Sequence, residues 1–381
     1  MDVKATHGLL RALKNLPDPR MERTKRHRLE DILAIAICAV ICGANGWTQV
    51  ELFGNSKIKW FKKFLALPNG IPSHDTFGRV FAKLDPAAFE ECFMKWIAAL
   101  ATASKGRLVA IDGKTIRRSL DVAGDKAAVH MVSAWCKTNR MVLGQIATDD
   151  KSNEITAIPK LLKLLNLDGA VVTIDAMGCQ KKIAREIVEQ KADYILQLKG
   201  NQNALHSEAK LLFDKCLRDD CLGVSYHTAE TTNGGHGRVE RRRIWVTADV
   251  AWFAERKKWK NFKSLIRVES QRTVSGKTSR EYRYYIATLP ADDDKDAAKL
   301  LAYIQGHWGV ENNLHWCLDV SFREDECRIR QGNAAENFSR LSRIALNLLK
   351  AERTCKVGIQ SKRLRCGWDH DYLLKVLTKK I

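Results

Sequence analysis

"AVVTIDAMGCQKKIAREIVEQKADYILQLK", residues 170–199, decides the fold class. Its first part is a short apolar run with β-branched residues that stops at Asp175 and a turn, which predicts a buried strand. "KKIAREIVEQ" then reads as a helix and "DYILQLK" as a second strand. Upstream, "RLVAIDGKTI" is a β-type run ending in a turn. "HMVSAWC" (130–136) and "MVLGQIATD" (141–149) read as a hairpin across "KTNR", and "ITAIPKLLKLL" as a helix. Three strands followed by alternating helix and strand predict an α/β fold with a sheet of mixed direction.

The texture differs on either side. Residues 1–100 read as helical, with "ILAIAICAVICGA" (32–44) apolar nearly all round and therefore a buried helix, too short to span a bilayer comfortably. In "IPSHDTFGRVFAKL", Ser73 is a candidate N-cap, and Phe77, Val80, Phe81 and Leu84 make one apolar face with Arg79 and Lys83 outside. Helix, short turn and basic helix there suggest either a helix-turn-helix reader of DNA or an ordinary helical bundle. From about 206 to 290 the chain reads as β-rich, with "NGGHG" and "VSGK" as turns, and from 294 it is helical again and ends in basic pieces. The expected organisation is a helical domain over 1–100, an α/β domain in two parts over 101–205 and 291–381, and a β-rich insertion over 206–290.

The chain has 381 residues, 45% hydrophobic and 28% charged, a globular balance that argues against wholesale disorder. Its 64 Lys and Arg against 44 Asp and Glu leave a net charge of +20. Such an excess favours polyanionic partners through counterion release, with nucleic acid first among them. The 11 cysteines include no C-x-x-C pair, and the first residues hold no signal-peptide apolar core. A reduced, cytoplasmic setting is the expectation.

Asp112 ends the run "LVAID" and Asp175 ends "AVVTID", each before a small residue. Residues at strand ends border the crevice where open α/β sheets bind ligands. If the two strands are neighbours, the carboxylates converge, and a hard cation such as Mg²⁺ or Mn²⁺ between them relieves their repulsion. A third carboxylate stands in "HWGVENNLHWCLDVSF" (307–322), where His307, Glu311, His315 and Asp319 recur every four residues and would share one face of an α-helix. The two histidines around Glu311 also admit a zinc site, although the spacing is not the H-E-x-x-H of zinc proteases.

The blocks "AIDGKTIRRS", "TIDAMGCQKKIA", "YILQLKGNQ" and "HWGVENNLHWCLDVSFREDECRIRQGNAAENFSRLSRIALNLLK", with the N-terminal "HRLEDILAIAICAVICGANGW", resemble the DDE transposases of bacterial insertion sequences. Within these the H-repeat-associated, ISAs-type group is most similar, and the resemblance covers nearly the whole chain. It implies an RNase H-like catalytic fold with a β-strand insertion before the last acidic helix. It also implies catalytic and metal-binding roles for Asp112, Asp175 and Glu311, two Mg²⁺ (or Mn²⁺) ions, and cleavage and strand transfer at insertion-sequence ends. The interval from Asp175 to Glu311, 136 residues, has room for the insertion. The related enzymes carry Tyr, Arg and Lys around the glutamate where this chain has Ile304, His307 and Leu318, so those phosphate contacts do not transfer. Lys114, Arg117, Arg118, Lys199, Asn201, His307 and His315 are the candidate DNA contacts, and Arg323 is a further stand-in. Double-stranded DNA, as element ends and target, is the expected partner, with a homodimer or higher oligomer on it. The rival readings are a catalytically inactive DNA-binding relative and an RNase H-like nuclease that cuts without joining.

Overall fold

The computed structural model describes residues 7–98, 106–120, 127–148, 153–218, 224–235 and 237–378. In chain order come helices α1 (His7–Leu13), α2 (Leu29–Ile41), α3 (Trp47–Ser56), α4 (Ile58–Phe61), α5 (His74–Lys83) and α6 (Pro86–Ala98). Strands β1 (Leu108–Thr115), β2 (His130–Cys136) and β3 (Met141–Ala147) follow, then α7 (Glu154–Leu164), β4 (Val171–Ile174), α8 (Lys181–Glu189), β5 (Asp193–Leu198) and α9 (Asn203–Arg218). Next are β6 (His227–Gly235), β7 (Arg238–Thr247), β8 (Ser264–Val274), β9 (Lys277–Ala287) and α10 (Asp294–His307). A π-helical turn (Glu311–His315), α11 (Trp316–Phe322), α12 (Ala334–Ala351), α13 (Ile359–Trp368) and α14 (His370–Thr378) complete the chain. This is a mixed α/β fold with a large sheet and many helices. It divides into two compact units: Met1–Thr102, Gly113–Ser152 and Glu311–Ile381 in the first, Ala103–Asp112 and Asn153–Val310 in the second.

In the first unit, α2 is buried from Asp31 to Ile41, as its all-round apolar sequence demands. Ser73 caps α5 by accepting a hydrogen bond from the Thr76 amide, and Phe77, Val80 and Phe81 are buried while Arg79 and Lys83 stay exposed. The chain between Phe61 and His74 is far longer than the roughly three- to four-residue turn of a helix-turn-helix, so the short-turn reading of this region is corrected. The β2–β3 hairpin turns through Arg140, held at φ +55°.

Helix α12 ties this unit together through buried polar side chains that reach its neighbours. Asn347 clasps the β3 backbone, its Oδ1 accepting from Val142 N and its Nδ2 donating to Val142 O, both at 2.9 Å. Arg340 pairs with Glu90 of α6 at 2.9 Å, and Arg343 with Glu324 at 2.7 Å. Asn337 donates to the carbonyls of Phe81 and Leu84. Buried polar groups are tolerated when each finds a partner, and these join helix to helix and helix to hairpin.

In the second unit the strand order is β1-β4-β5-β9-β8-β7-β6. β1, β4 and β5 run parallel, joined through α7 and α8 in the strand–helix–strand manner that residues 170–199 predict. β9 adds antiparallel to β5, and β8, β7 and β6 continue outward, so the β-rich segment extends the existing sheet. Two details differ from expectation. The β-rich stretch begins with a helix, because "ALHSEAKLLF" carries a helical apolar period and buries Leu205, Ala209 and Phe213. And β1 does not stop at Asp112 but runs to Thr115, since Lys114 is buried and Gly113 is tolerated in an extended strand. Helix α10 covers the sheet with Ala297, Leu300, Leu301 and Ile304 packed on Ile244, Val246, Ile266 and Val268.

Candidate active site

β1 and β4 pair in register from Leu108 with Val171 to Ile111 with Ile174. Asp112 and Asp175 are each one residue beyond the last pair. Parallel strands in register place such positions side by side, about 4.8 Å apart between strand axes and on the same face of the sheet. The two strands are thus neighbours, which is the condition that convergence of the carboxylates requires. Both aspartates are half-buried. Asp175 Oδ1 accepts from the amides of Met177 (3.1 Å) and Gly178 (3.3 Å), which folds the loop back around the carboxylate. A Cβ at Gly178 would stand 2.2 Å from Ile174 Cγ2, so this return is open only to glycine. Burial pushes the Asp175 carboxyl up, and Glu154 adds to this, while the two amides and Lys199 pull it back.

The loop after Asp175 is held by its neighbour. Asn201 Nδ2 donates to Ala176 O at 2.6 Å and Gln202 Nε2 to Cys179 O at 3.0 Å. Asn201 thus has its amide engaged in the protein, whereas Lys199 is exposed and near enough to Asp175 to act on its charge.

His307 closes α10 on the same sheet face. Its Nδ1 lies 2.9 Å from Thr173 Oγ1, and Thr173 precedes Asp175 by two residues on β4. Burial holds the imidazole down at about 4, aided by the nearby Arg283. Thr173, Gln197, Arg283, Tyr285, His307 and Trp308 line a small cleft. Arg283 stacks on Trp308, 4.4 Å from the ring centre, and pairs through Nε with Glu281 at 2.8 Å. Neither Arg283 nor Trp308 was singled out by sequence reasoning. Only the β5–β9 register brings Arg283 beside the end of β5.

Glu311 opens the π-helical turn in the first unit and is exposed; His315 closes the turn and is half-buried. The even α-helical stripe from His307 to Asp319 is therefore corrected. α10 ends at His307, and the wider π turn interposes before α11, so a spacing of four no longer returns to one face. Asp319 lies on α11, where its Oδ1 meets Lys114 Nζ at 2.7 Å. Lys114 also binds Asp325 Oδ1 at 2.8 Å, and its side chain is only 8% exposed. Arg117 is exposed and reaches Asp325 Oδ2 at 3.3 Å, and Arg118 is exposed with its carbonyl accepting from Arg330 Nε. Among the described residues no group of three or more His, Cys, Asp and Glu side chains is gathered in a metal-holding cluster. Nor is any helix among them long and apolar enough to cross a membrane.

A mixed sheet with an aspartate just past the last registered position of each of two adjacent parallel strands defines a class of α/β protein. Sequence comparison gives that class a family. The family described as "Transposase DDE domain" matches residues 103–348, and "DDE_Tnp_1-associated" matches residues 10–97. "Putative transposase YncI" of Escherichia coli is 42% identical over 375 residues, 97% of this chain and 94% of that protein. "H repeat-associated putative transposase YhhI" of Escherichia coli is 40% identical over 97% of both chains. Among solved structures, the piggyBac transposase synaptic complex with hairpin DNA aligns with 99% of this chain and 77% of its own at 12% identity. Its TM-score of 0.44 is too low to define a shared fold. The chain belongs to the DDE transposase family, and its relatives include the H repeat-associated transposases.

Proposed function

We propose that the protein is a DDE transposase that cleaves and joins DNA strands at insertion-sequence ends, using Asp112, Asp175 and Glu311. The observation that carries this reading is the in-register pairing of β1 and β4, which sets Asp112 and Asp175 side by side. The parallel β1, β4 and β5, with antiparallel strands added after β5, support an RNase H-like catalytic fold in two parts, 101–205 and 291–381, and an insertion over 206–290. The helices of residues 1–100 form the transposase-associated, DNA-binding domain in this reading.

The donor set suits the expected metal. Asp175 is a desolvated carboxylate beside a second one, and Glu311 is exposed; oxygen donors of this kind select Mg²⁺ or Mn²⁺ over softer ions. When bound, two such ions supply Lewis acidity to the scissile phosphate and lower the pKa of an attacking water or 3′-OH. The chain's part is to hold the carboxylates ionised and oriented: the amides of Met177 and Gly178 fix one Asp175 oxygen and leave the other for coordination. Exposed Lys199, Arg117 and Arg118 bind the DNA backbone, and Asn201 keeps the Asp175 loop in place. His307, held neutral at pH 7 by burial, and His315 are the further polar contacts to DNA in this reading. The active form is at least a dimer on double-stranded DNA, because two element ends must be joined.

The test is cleavage of DNA carrying the gene's own flanks in Mg²⁺ or Mn²⁺, comparing wild type with Asp112→Asn and Glu311→Gln. Metal-dependent cuts at the element ends are expected from wild type, with both variants slower by a factor of about 10³ or more. Strand-transfer products distinguish a transposase from a nuclease that only cuts. Tight DNA binding with no cleavage in either metal would instead identify a catalytically inactive relative.

A further inference from the structure

Lys114 follows Asp112 by two residues in a basic stretch, yet its cation is spent inside the first unit. Its Nζ is 2.7 Å from Asp319 and 2.8 Å from Asp325, and its side chain is 8% exposed against 38% and 24% for theirs. Asp319 is on α11, the helix that the π turn of Glu311 leads into, and Asp325 follows that helix. Three carboxylates crowd here, since Glu324 also acts on Lys114 and is itself tied to Arg343 of α12 at 2.7 Å. Without the ammonium, Asp319 and Asp325 would repel each other and α11 would lose its tie to the end of β1. Arg323, held at φ +53°, ends α11, so the chain turns sharply just where Asp325 must return to the lysine.

We infer that Lys114 is a positioning residue for Glu311, fixing the rotation of α11 through Asp319 and Asp325, and is not a phosphate contact. This rests on the assignment of Glu311 to the metal-dependent reaction proposed above. A partly buried, doubly paired lysine has no free face for a phosphodiester, and a helix clamped eight residues beyond its glutamate cannot turn that glutamate away from its task.

The test compares wild type, Lys114→Met and Lys114→Arg in three readouts: Mn²⁺ affinity by electron paramagnetic resonance, end-cleavage rate, and the salt dependence of DNA binding. Lys114→Met is expected to weaken Mn²⁺ binding and slow cleavage, each by about tenfold or more, as the loss of an outer-shell partner does. Lys114→Arg, which restores the pairs, should recover most of both. The slope of log Kd against log salt should not change in either variant. A slope reduced by about one unit in Lys114→Met would make the lysine a phosphate contact and overturn the inference. So would wild-type Mn²⁺ affinity in a folded Lys114→Met. If that variant does not melt cooperatively, Asp319→Asn takes its place with the same expected losses, and wild-type Mn²⁺ affinity there overturns the inference. Weakened Mn²⁺ binding in the variant, with no cleavage even by wild type, would uphold the positioning role and reject the transposase chemistry.

Discussion

His307 shows what a single side chain can report. Its Nδ1 is paired with Thr173, and burial holds its ring at about 4, below the ordinary 6.5. A histidine whose folded pKa is depressed favours the fold in its neutral form. Its contribution is complete above the unfolded pKa of 6.5 and is lost as the pH falls from there toward about 4. We therefore expect urea unfolding of the metal-free protein to show falling stability over that window. His307→Gln, which keeps a polar partner for Thr173, should remove part of that pH dependence while leaving pH 8 stability nearly unchanged. An imidazole titration by NMR that protonates His307 near pH 6.5 would show the ring to be solvated and the Thr173 bond unformed.

Helix α12 carries the clearest energetic consequence at the level of an element. Arg340 and Glu90 are 2% and 5% exposed, and the Glu90 carboxylate also accepts from Gln145 N at 2.8 Å. Burial pushes the Glu90 carboxyl up, and Arg340 opposes this, so the ion pair holds the charge that β3 needs. Arg340→Met should cost about 3–5 kcal/mol in urea unfolding, because it leaves a buried carboxylate without its cation. Glu90→Leu added to it should recover most of that loss; a double variant no more stable than the single one would deny the coupling. This pair was invisible in the sequence, as were Lys114 with Asp319 and Arg343 with Glu324. Arg340 and Glu90 are 250 positions apart, and even Arg343 and Glu324, 19 apart, lie on different elements, so no local period announces such pairs. What local pattern does announce came through well: the buried α2, the Ser73 cap, the β2–β3 hairpin, and the strands that end near Asp112 and Asp175. Patterns of alternation and capping are written over a few residues, and so are readable there. The π turn at Glu311 is hidden in the sequence because its polar spacing of four mimics an ordinary helix, and α9 because strand-rich sequence follows it closely.

At the scale of the whole molecule, the net charge of +20 is the property that acts before any side chain docks. It draws in a polyanion over a Debye length, about 8 Å at physiological salt, and its strength falls as salt rises. Much of that charge is committed internally: Lys114 to two aspartates, Arg241 to Glu230, Arg242 to Glu240, Arg340 to Glu90 and Arg343 to Glu324. Internal pairing releases no counterions when DNA binds, so the salt dependence should count the exposed cations and not the total. Arg117, Arg118 and Lys199 are exposed and flank the two aspartates in sequence, Arg117 staying 81% exposed despite its contact with Asp325. Replacing all three with Ala should lower the slope of log Kd against log salt by roughly 2 to 3 units on double-stranded DNA. Arg340→Lys, buried and paired, should leave the slope unchanged. Fluorescence anisotropy across 50–300 mM salt measures both, roughly the range over which such slopes are resolved. An unchanged slope in the triple variant would move the DNA-binding surface away from the aspartate edge, and with it the case for cleavage there.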